Sequence, residues 1–322
     1  MTNGILSNTF QIEVERLTNH RNDDMICEIL VYYGGTSMLI GQFLGTGAAE
    51  GIPAPFCKCP NCENARQVGG HEVRLRTCFR LTDSIMIDLG ADAVMQAIKY
   101  GDLSQVNHVL VTHTHEDHLN LHMLLECLWA KDYRDTLHFY FTDKAYDIVE
   151  RWRESPWILK GKVREFEEKG YVAFHKLEFE KKVEIEGIGF TPFRGNHRGN
   201  VNENSALYLI ELGDGRKLFY GLDTSIYYPE TLDALKGHHI DIYISENTMG
   251  TLECPPHPGH MRLQDVRELV TTLCEQGTLD EQSVLYLTHI NHHSTHQQNI
   301  EGVKKLHFPV KTIVAYDGLK IF

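Results

Sequence analysis

The amino-acid sequence predicts a layered α/β domain, and three observations carry that expectation. Short apolar, β-branched or aromatic runs alternate with helical patterns along most of the chain. Hydrophobic residues make up 42% and charged residues 23%, a balance that supplies a sizeable core and excludes disordered, collagenous and coiled-coil chains. No repeat of solenoid period, low-complexity tract or Pro/Ser-rich linker breaks the pattern. At roughly 100–200 residues per domain, the 322 residues allow one large domain or two ordinary ones. The unbroken pattern from Met38 favours one domain over 37–322, preceded by an extension, 1–36, with strand-like pieces at Ile12–Leu17 and Met25–Tyr33.

Taken in order, the first strand is expected at 37–44, where an apolar run gives way to Gly45-Thr-Gly47. The segment Gly45-Thr-Gly47-Ala-Ala-Glu-Gly51 imitates a dinucleotide fingerprint, but its third glycine comes one residue late. Pro53 and Pro55 also keep a helix from opening there, so a tight loop facing the active site is expected instead. A strand at 84–88 runs into Asp88-Leu-Gly90, a helix fits 91–100 until Gly101 stops it, and a buried strand fits 107–112. Helical spacing returns at 119–131 and 143–154, on either side of a strand at 136–141. Strands at 183–193, 205–212, 217–222 and 240–245 follow. The last helix is expected at 261–275, with strands at 283–288 and 311–316 closing the domain.

The formal net charge is −13, from 31 Lys and Arg against 44 Asp and Glu, and an acidic surface repels phosphate backbones. Non-specific nucleic-acid binding is therefore disfavoured. No apolar run approaches the roughly 18 residues of a membrane span. The start, MTNGILSNTF, lacks the basic and apolar stretches of an export signal, so a cytoplasmic location is expected. Of eight cysteines, Cys57, Cys59 and Cys62 fall inside six residues, while Cys27, Cys78, Cys127, Cys254 and Cys274 are scattered and read as small buried hydrophobes. In a reducing compartment such clustered thiols are metal ligands, and a tetrahedral zinc ion needs a fourth.

Histidine is the compositional outlier, with 19 in the chain. The decisive segment is Val109-Leu-Val-Thr-His113-Thr-His115-Glu-Asp117-His118, a buried strand running into four potential ligands. Leaving the strand, His113 and His115 can converge on one ion from alternate positions, and the following turn can aim Asp117 and His118 at a second. Neutral imidazole with carboxylate suits zinc, manganese or iron alike.

This H-x-H-x-D-H pattern resembles the metallo-β-lactamase superfamily, and the likeness runs from about Met38 to the C-terminus. It includes Leu44-Gly-Thr-Gly47, Pro53 and the closing Tyr316-Asp-Gly-Leu319. The resemblance implies a four-layer αββα sandwich with two catalytic divalent metals, Mn²⁺ or Zn²⁺, at one edge. It implies three further ligands at strand ends, matched here by His197, Asp223 and His289. By analogy metal 1 takes His113, His115, His197 and Asp223, and metal 2 takes Asp117, His118, Asp223 and His289. Asp88 resembles an early Asp that braces the ligand loop.

The cysteine loop is similar to that of PhnP-type phosphodiesterases, where a Cys-x-Cys-x-x-Cys loop binds structural zinc with a His three residues beyond the last catalytic ligand. Thr288-His289-Ile-Asn-His292 has that spacing, which makes His292 the expected fourth ligand, with His293 and His296 as competitors. In that branch a catalytic histidine precedes the last helix, the place of His260 in Gly259-His260-Met261. The resemblance thus implies catalytic roles for His260, on the scissile phosphate or the leaving oxygen, and for Asp117 among the metal ligands. His257 reads as ordinary loop, and Arg198 and Asn202 as solvated loop residues. The expected substrate is a small, linear or cyclic phosphodiester, and a homodimer is compatible with the sequence.

Other readings of the same fold are a PqqB-like cofactor-biosynthesis protein, a tRNase Z-like nuclease, and a lactone or thioester hydrolase. No basic Gly/Pro-rich arm supports the nuclease, His115 stands where a diiron oxidoreductase has Glu, and the complete ligand set speaks against a non-catalytic module. Residues 1–36 have no counterpart, and 121–180 is longer and differently composed, so substrate-contacting walls are expected to differ.

Overall fold

Two β-sheets stack face to face with helices on both outer sides, the αββα arrangement that the resemblance implied. The computed structural model describes residues 38–130, 135–154, 162–200 and 202–322; the extension 1–36, with its two strand-like pieces, lies outside them. The first sheet is formed, in spatial order, by β1 (Leu39–Gly45), β2 (Cys78–Thr82), β3 (Ile85–Ile87), β4 (His108–Leu110), β5 (Leu137–Thr142) and β6 (Val172–Leu177). The chain between them carries α1 (Pro60–Val68), α2 (Ala93–Tyr100), α3 (Leu121–Ala130), α4 (Asp143–Arg153) and α5 (Lys162–Glu168).

The second sheet contains β7 (Val183–Ile185), β8 (Ile188–Arg198), β9 (Asn204–Glu211), β10 (Lys217–Gly221), β11 (Ile242–Glu246), β12 (Val284–Thr288) and β13 (Lys311–Val314), with β7 and β13 at opposite edges. Its helices are α6 (Pro229–Leu235), α7 (Leu263–Glu275) and α8 (His296–Leu306).

The twofold alternation of strand side chains sorts the apolar residues into three cores. Val109, Phe139 and Phe141 pack against Leu124, Leu128, Val149 and Trp152 of the first helical layer. Phe79, Ile85 and Leu110 meet Phe190, Tyr208 and Tyr220 between the sheets. Leu209, Phe219 and Leu285 pack against Val266 and Val270 of α7. At about 25 cal/mol per Å² of buried apolar surface, these three layers dominate the stabilisation.

Strands β3 to β6 run parallel, as do β10 to β13, so each sheet gathers carboxyl ends at one edge. In open α/β sheets such edges receive ligands. Asp88, the His113–His118 loop, Asp223, Glu246 and His289 all lie at or just beyond such ends.

Several elements differ from the expectation. The single strand expected at 183–193 is a hairpin, β7 and β8, turning at Glu186 and Gly187, both at positive φ. Strand β2 is hidden in the sequence by Arg80, whose guanidinium is satisfied inside the fold by the carbonyls of Thr82, Asp83 and Asp102. A helix does open after the proline-rich stretch, but only at Pro60, which occupies its first turn where no N–H is needed. Helix α7 is not the last: α8 follows, polar in composition but closed at its start by a Thr295–Gln298 capping box. Among the described residues no helix is long and apolar enough to cross a membrane.

Candidate metal centre

Beyond β4 the chain delivers four donors in six residues. His113 Nε2 lies 2.9 Å from His115 Nδ1, which in turn lies 3.1 Å from His197 Nε2 at the end of β8. Asp223 Oδ2, just past β10, stands 3.1 Å from His113 Nε2 and 3.0 Å from His118 Nε2, so one carboxylate oxygen sits between two groups of donors. On its other side His118 Nε2 is 3.2 Å from His289 Nε2 and 3.3 Å from Asp117 Oδ2. The first set is His113, His115, His197 and Asp223, the second Asp117, His118, Asp223 and His289, and within each set the donor atoms all lie within 4.8 Å.

Bare imidazole nitrogens and carboxylates do not collect in a dry site without cost. Four ligands at about 2.0–2.2 Å from one ion stand about 3.3 Å apart, which is the spacing these donors have. The donor chemistry and spacing therefore fit two divalent cations sharing Asp223. The protein's own charges make the same point. His113 is pushed down to about 3 by burial, helped by nearby His118. Burial opposes charge at Asp223 too, yet His289 and His118 hold its carboxyl well below the usual range. Asp117 is likewise held low, against burial, by His118 and His289.

Behind three of the imidazoles a second group meets Nδ1. Asp88 Oδ2 accepts from His118 Nδ1 at 2.7 Å, while its Oδ1 accepts from the Thr112 N–H at 2.8 Å. His197 Nδ1 donates to the Gly259 carbonyl at 3.0 Å, and His289 Nδ1 meets Thr248 Oγ1 at 2.8 Å. Each contact leaves Nε2 for the site. Three of these residues, Asp88, Asp223 and His289, follow their strands at positive φ (68°, 45° and 53°). Non-glycine residues adopt this region at a cost of about 1–3 kcal/mol, and such strain clusters at functional sites. Gly90 has a different reason: a Cβ there would stand 2.2 Å from the Asp117 carbonyl, so only glycine lets the ligand loop close on β3.

His260 joins this edge from the loop before α7. Its Nδ1 lies 3.3 Å from Glu246 Oε2 and 3.5 Å from Asp223 Oδ1, which leaves Nε2 unconstrained by either. Burial opposes charge on this ring, but Glu246 and Asp223 outweigh it and raise His260 to about 9. Glu246 is fully buried, and its Oε1 accepts from the Met261 N–H at 2.8 Å, holding the His260 loop to the end of β11. Sequence reasoning missed Glu246. The signal was available: it is a carboxylate at a strand's carboxyl end, as Asp223 is. His257, expected as ordinary loop, places its ring against His260, with centroids 5.2 Å apart.

A second cluster stands apart from this one. Cys57, Cys59, Cys62 and His292 bring three sulfurs and one nitrogen within 4.8 Å of one another. His292 Nδ1 is 3.3 Å from Cys62 Sγ and 3.7 Å from Cys59 Sγ, the spacing of ligands on a tetrahedral zinc with bonds of about 2.0–2.3 Å. Burial raises the Cys59 thiol, but the Cys62 N–H and neighbouring groups lower it further, to about 7. Of the expected competitors, His296 is turned to Arg74 Nη2 at 2.9 Å, and His293 only packs its ring on His292.

The family model for the beta-lactamase superfamily domain matches residues 84–290, most of the chain and every donor of the first cluster. The chain belongs to the metallo-β-lactamase superfamily. Comparison with curated proteins finds no match. Among solved structures, this superfamily member is similar to a diphosphatase of the PhnP family, at 21% identity and TM-score 0.64, over 88% of this chain and 96% of that one. It also resembles Zn²⁺-bound PqqB from Methylobacterium extorquens, at 15% identity and TM-score 0.66, over 88% and 100% of the chains. Human tRNase Z, short form, follows with 17% identity and TM-score 0.58, over 88% and 99%. At these identities the likeness is one of fold.

Proposed function

We propose that this metallo-β-lactamase-fold protein is a metal-dependent phosphodiesterase acting on small diesters, with its chemistry at the His/Asp cluster. The observation that carries the reading is His260. It belongs to neither of the two donor sets, although with Glu246 it also comes within 4.8 Å of Asp223 and His289, and two carboxylates hold it charged through Nδ1. When bound, two divalent cations, Zn²⁺ or Mn²⁺, supply Lewis acidity to a phosphoryl oxygen and acidify a water held there. His113, His115, His197 and Asp223 would hold one, and Asp117, His118, Asp223 and His289 the other. His260 then presents Nε2 as hydrogen-bond donor or proton source to the leaving oxygen, while Glu246 and Asp223 hold the ring from behind. Cys57, Cys59, Cys62 and His292 would hold a structural zinc that fixes the loop leading from His289.

Two further features support this branch. The cysteine loop and the histidine before α7 occur together, and a PhnP-family diphosphatase, itself named for phosphoryl chemistry, shares the fold. The net charge of −13 speaks against a polyanionic nucleic-acid substrate.

The test is a substrate panel with a His260→Ala comparison. Turnover of bis(p-nitrophenyl) phosphate should far exceed that of lactones, β-lactams or phosphomonoesters, and the reverse ranking overturns the proposal. A positioned acid is worth about 10²–10⁴-fold in rate, and only where the leaving oxygen needs a proton. His260→Ala should therefore impair alkyl or cyclic ribose diesters far more than nitrophenyl diesters, with metal content unchanged. Equal losses on both would place His260 on the phosphate oxygens instead, stabilising charge in every transition state.

A further inference from the structure

Glu203 belongs to neither donor set, yet it is as buried as His113 and Asp223, at 1% exposure, in the turn that joins β8 to β9. Its Oε1 accepts from both the backbone N–H and the hydroxyl of Thr114, each at 2.5 Å. From the same turn Asn200 Nδ2 donates to the Thr114 carbonyl at 2.5 Å. Thr114 is the residue between His113 and His115. Both backbone polar groups of the ligand loop's pivot are thus clamped by the hairpin that carries His197 on its other strand. The clamp is itself held closely: a Cβ on Gly199 would stand 2.2 Å from Glu203 Oε1. Among the described residues no cation pairs with Glu203, and its Oε2 has no hydrogen-bond partner. Burying a carboxylate on such terms is costly, and its two contacts to Thr114 are what it does there.

We propose that Glu203, together with Asn200, is a positioning residue for the three-histidine side of the metal centre. By locking Thr114 to the β8–β9 turn it makes His113, His115 and His197 one rigid unit, set to converge on a single cation. The proposal rests on the reading of this cluster as a metal site.

The full-length protein, Glu203→Ala, Glu203→Gln and Asn200→Ala are titrated with Co²⁺ in competition with a chelator. The Cys57–His292 site is read apart by its thiolate-to-cobalt charge-transfer band. Each protein is also melted with and without saturating Zn²⁺. Loss of a group that orients metal ligands weakens affinity about 10–100-fold. Glu203→Ala should show that loss at the His/Asp centre with the thiolate band titrating normally, and its melting temperature should rise less on adding Zn²⁺. Glu203→Gln keeps one acceptor oxygen for Thr114 and should restore most of the affinity. Asn200→Ala should move in the same direction as Glu203→Ala, and it decides the matter if Glu203→Ala does not fold. Equal melting losses with and without Zn²⁺, at unchanged cobalt affinity, make Glu203 a merely structural residue and overturn the proposal. If the unaltered protein takes up cobalt only at the thiolate site, the metal reading itself fails, and the proposal with it.

Discussion

Asp88→Asn is a small change with a forced consequence. The carboxylate of Asp88 is fully buried and accepts from two directions, with Oδ1 on the Thr112 N–H at 2.8 Å and Oδ2 on His118 Nδ1 at 2.7 Å. An asparagine has the same shape and tolerates the positive φ of 68° at this position, but its amide has only one acceptor oxygen. If that oxygen stays on Thr112, the NH₂ faces His118 and drives its proton onto Nε2, the nitrogen that faces Asp223 and His289. Metal affinity should then fall about 10–100-fold, or about 1.4–2.7 kcal/mol. If the amide turns the other way, Thr112 N–H is left buried without an acceptor, at about 1–3 kcal/mol of stability. Chelator-competition titration reads the first outcome and urea denaturation the second. A variant with both quantities unchanged would refute the assignment of Asp88 as the group that fixes the His118 tautomer.

Two other predictions address the rest of the molecule. Cys59→Ala removes a thiolate that also caps α1, so it should lower the melting temperature and abolish the thiolate charge-transfer band while the His/Asp centre still binds cobalt; loss at both centres would show that they are not separate. His138 lies between His108, stacked at 5.0 Å, and His175, whose Nε2 is 2.8 Å from His138 Nδ1. Burial, with help from those two neighbours, pushes His138 down to about 4. Its folded value thus lies below the ordinary 6.5, so unfolded chains take up a proton that the fold refuses, and stability falls as pH drops from about 6.5 to 4. The ring is partly solvated, so the slope stays well under the about 1.4 kcal/mol per pH unit of a fully buried group. His138→Gln should flatten the decline of melting temperature over this range, and an unchanged slope would contradict the reading.

Much of the first cluster was legible because its donors follow strands whose apolar runs are unmistakable, as Val109-Leu-Val does before His113. For His197, Asp223 and His289 the resemblance supplied the expectation, and each was matched to it by its place after such a run. What sequence could not show was the layer behind the donors. Glu246, Thr248 and Glu203 look like ordinary polar residues until tertiary packing turns them inward against His260, His289 and Thr114. Two of the missed elements, β2 and α8, share one physical cause: polar residues satisfied by the fold. Arg80 disguised β2, and the His-Gln-Gln-Asn start of α8 disguised a helix whose cap, Thr295, is its clearest local signal. The loop expected from Gly45 to Gly51 is present, and its Thr46 and Ala48 pair with Ile290, next to His289.

The number of metal ions that one chain carries, and the ligands that hold them, tests the two-cluster assignment most directly. Elemental analysis of the purified protein after metal-replete expression, repeated on Asp223→Ala and Cys59→Ala, addresses this without any assumed substrate. Three ions per chain are predicted for the unaltered protein, two at the donor sets that share Asp223 and one at Cys57, Cys59, Cys62 and His292. Cys59→Ala should lose one ion, and Asp223→Ala should lose ions only from the His/Asp centre. One ion or fewer in the unaltered protein would contradict the assignment of two catalytic metals and one structural metal.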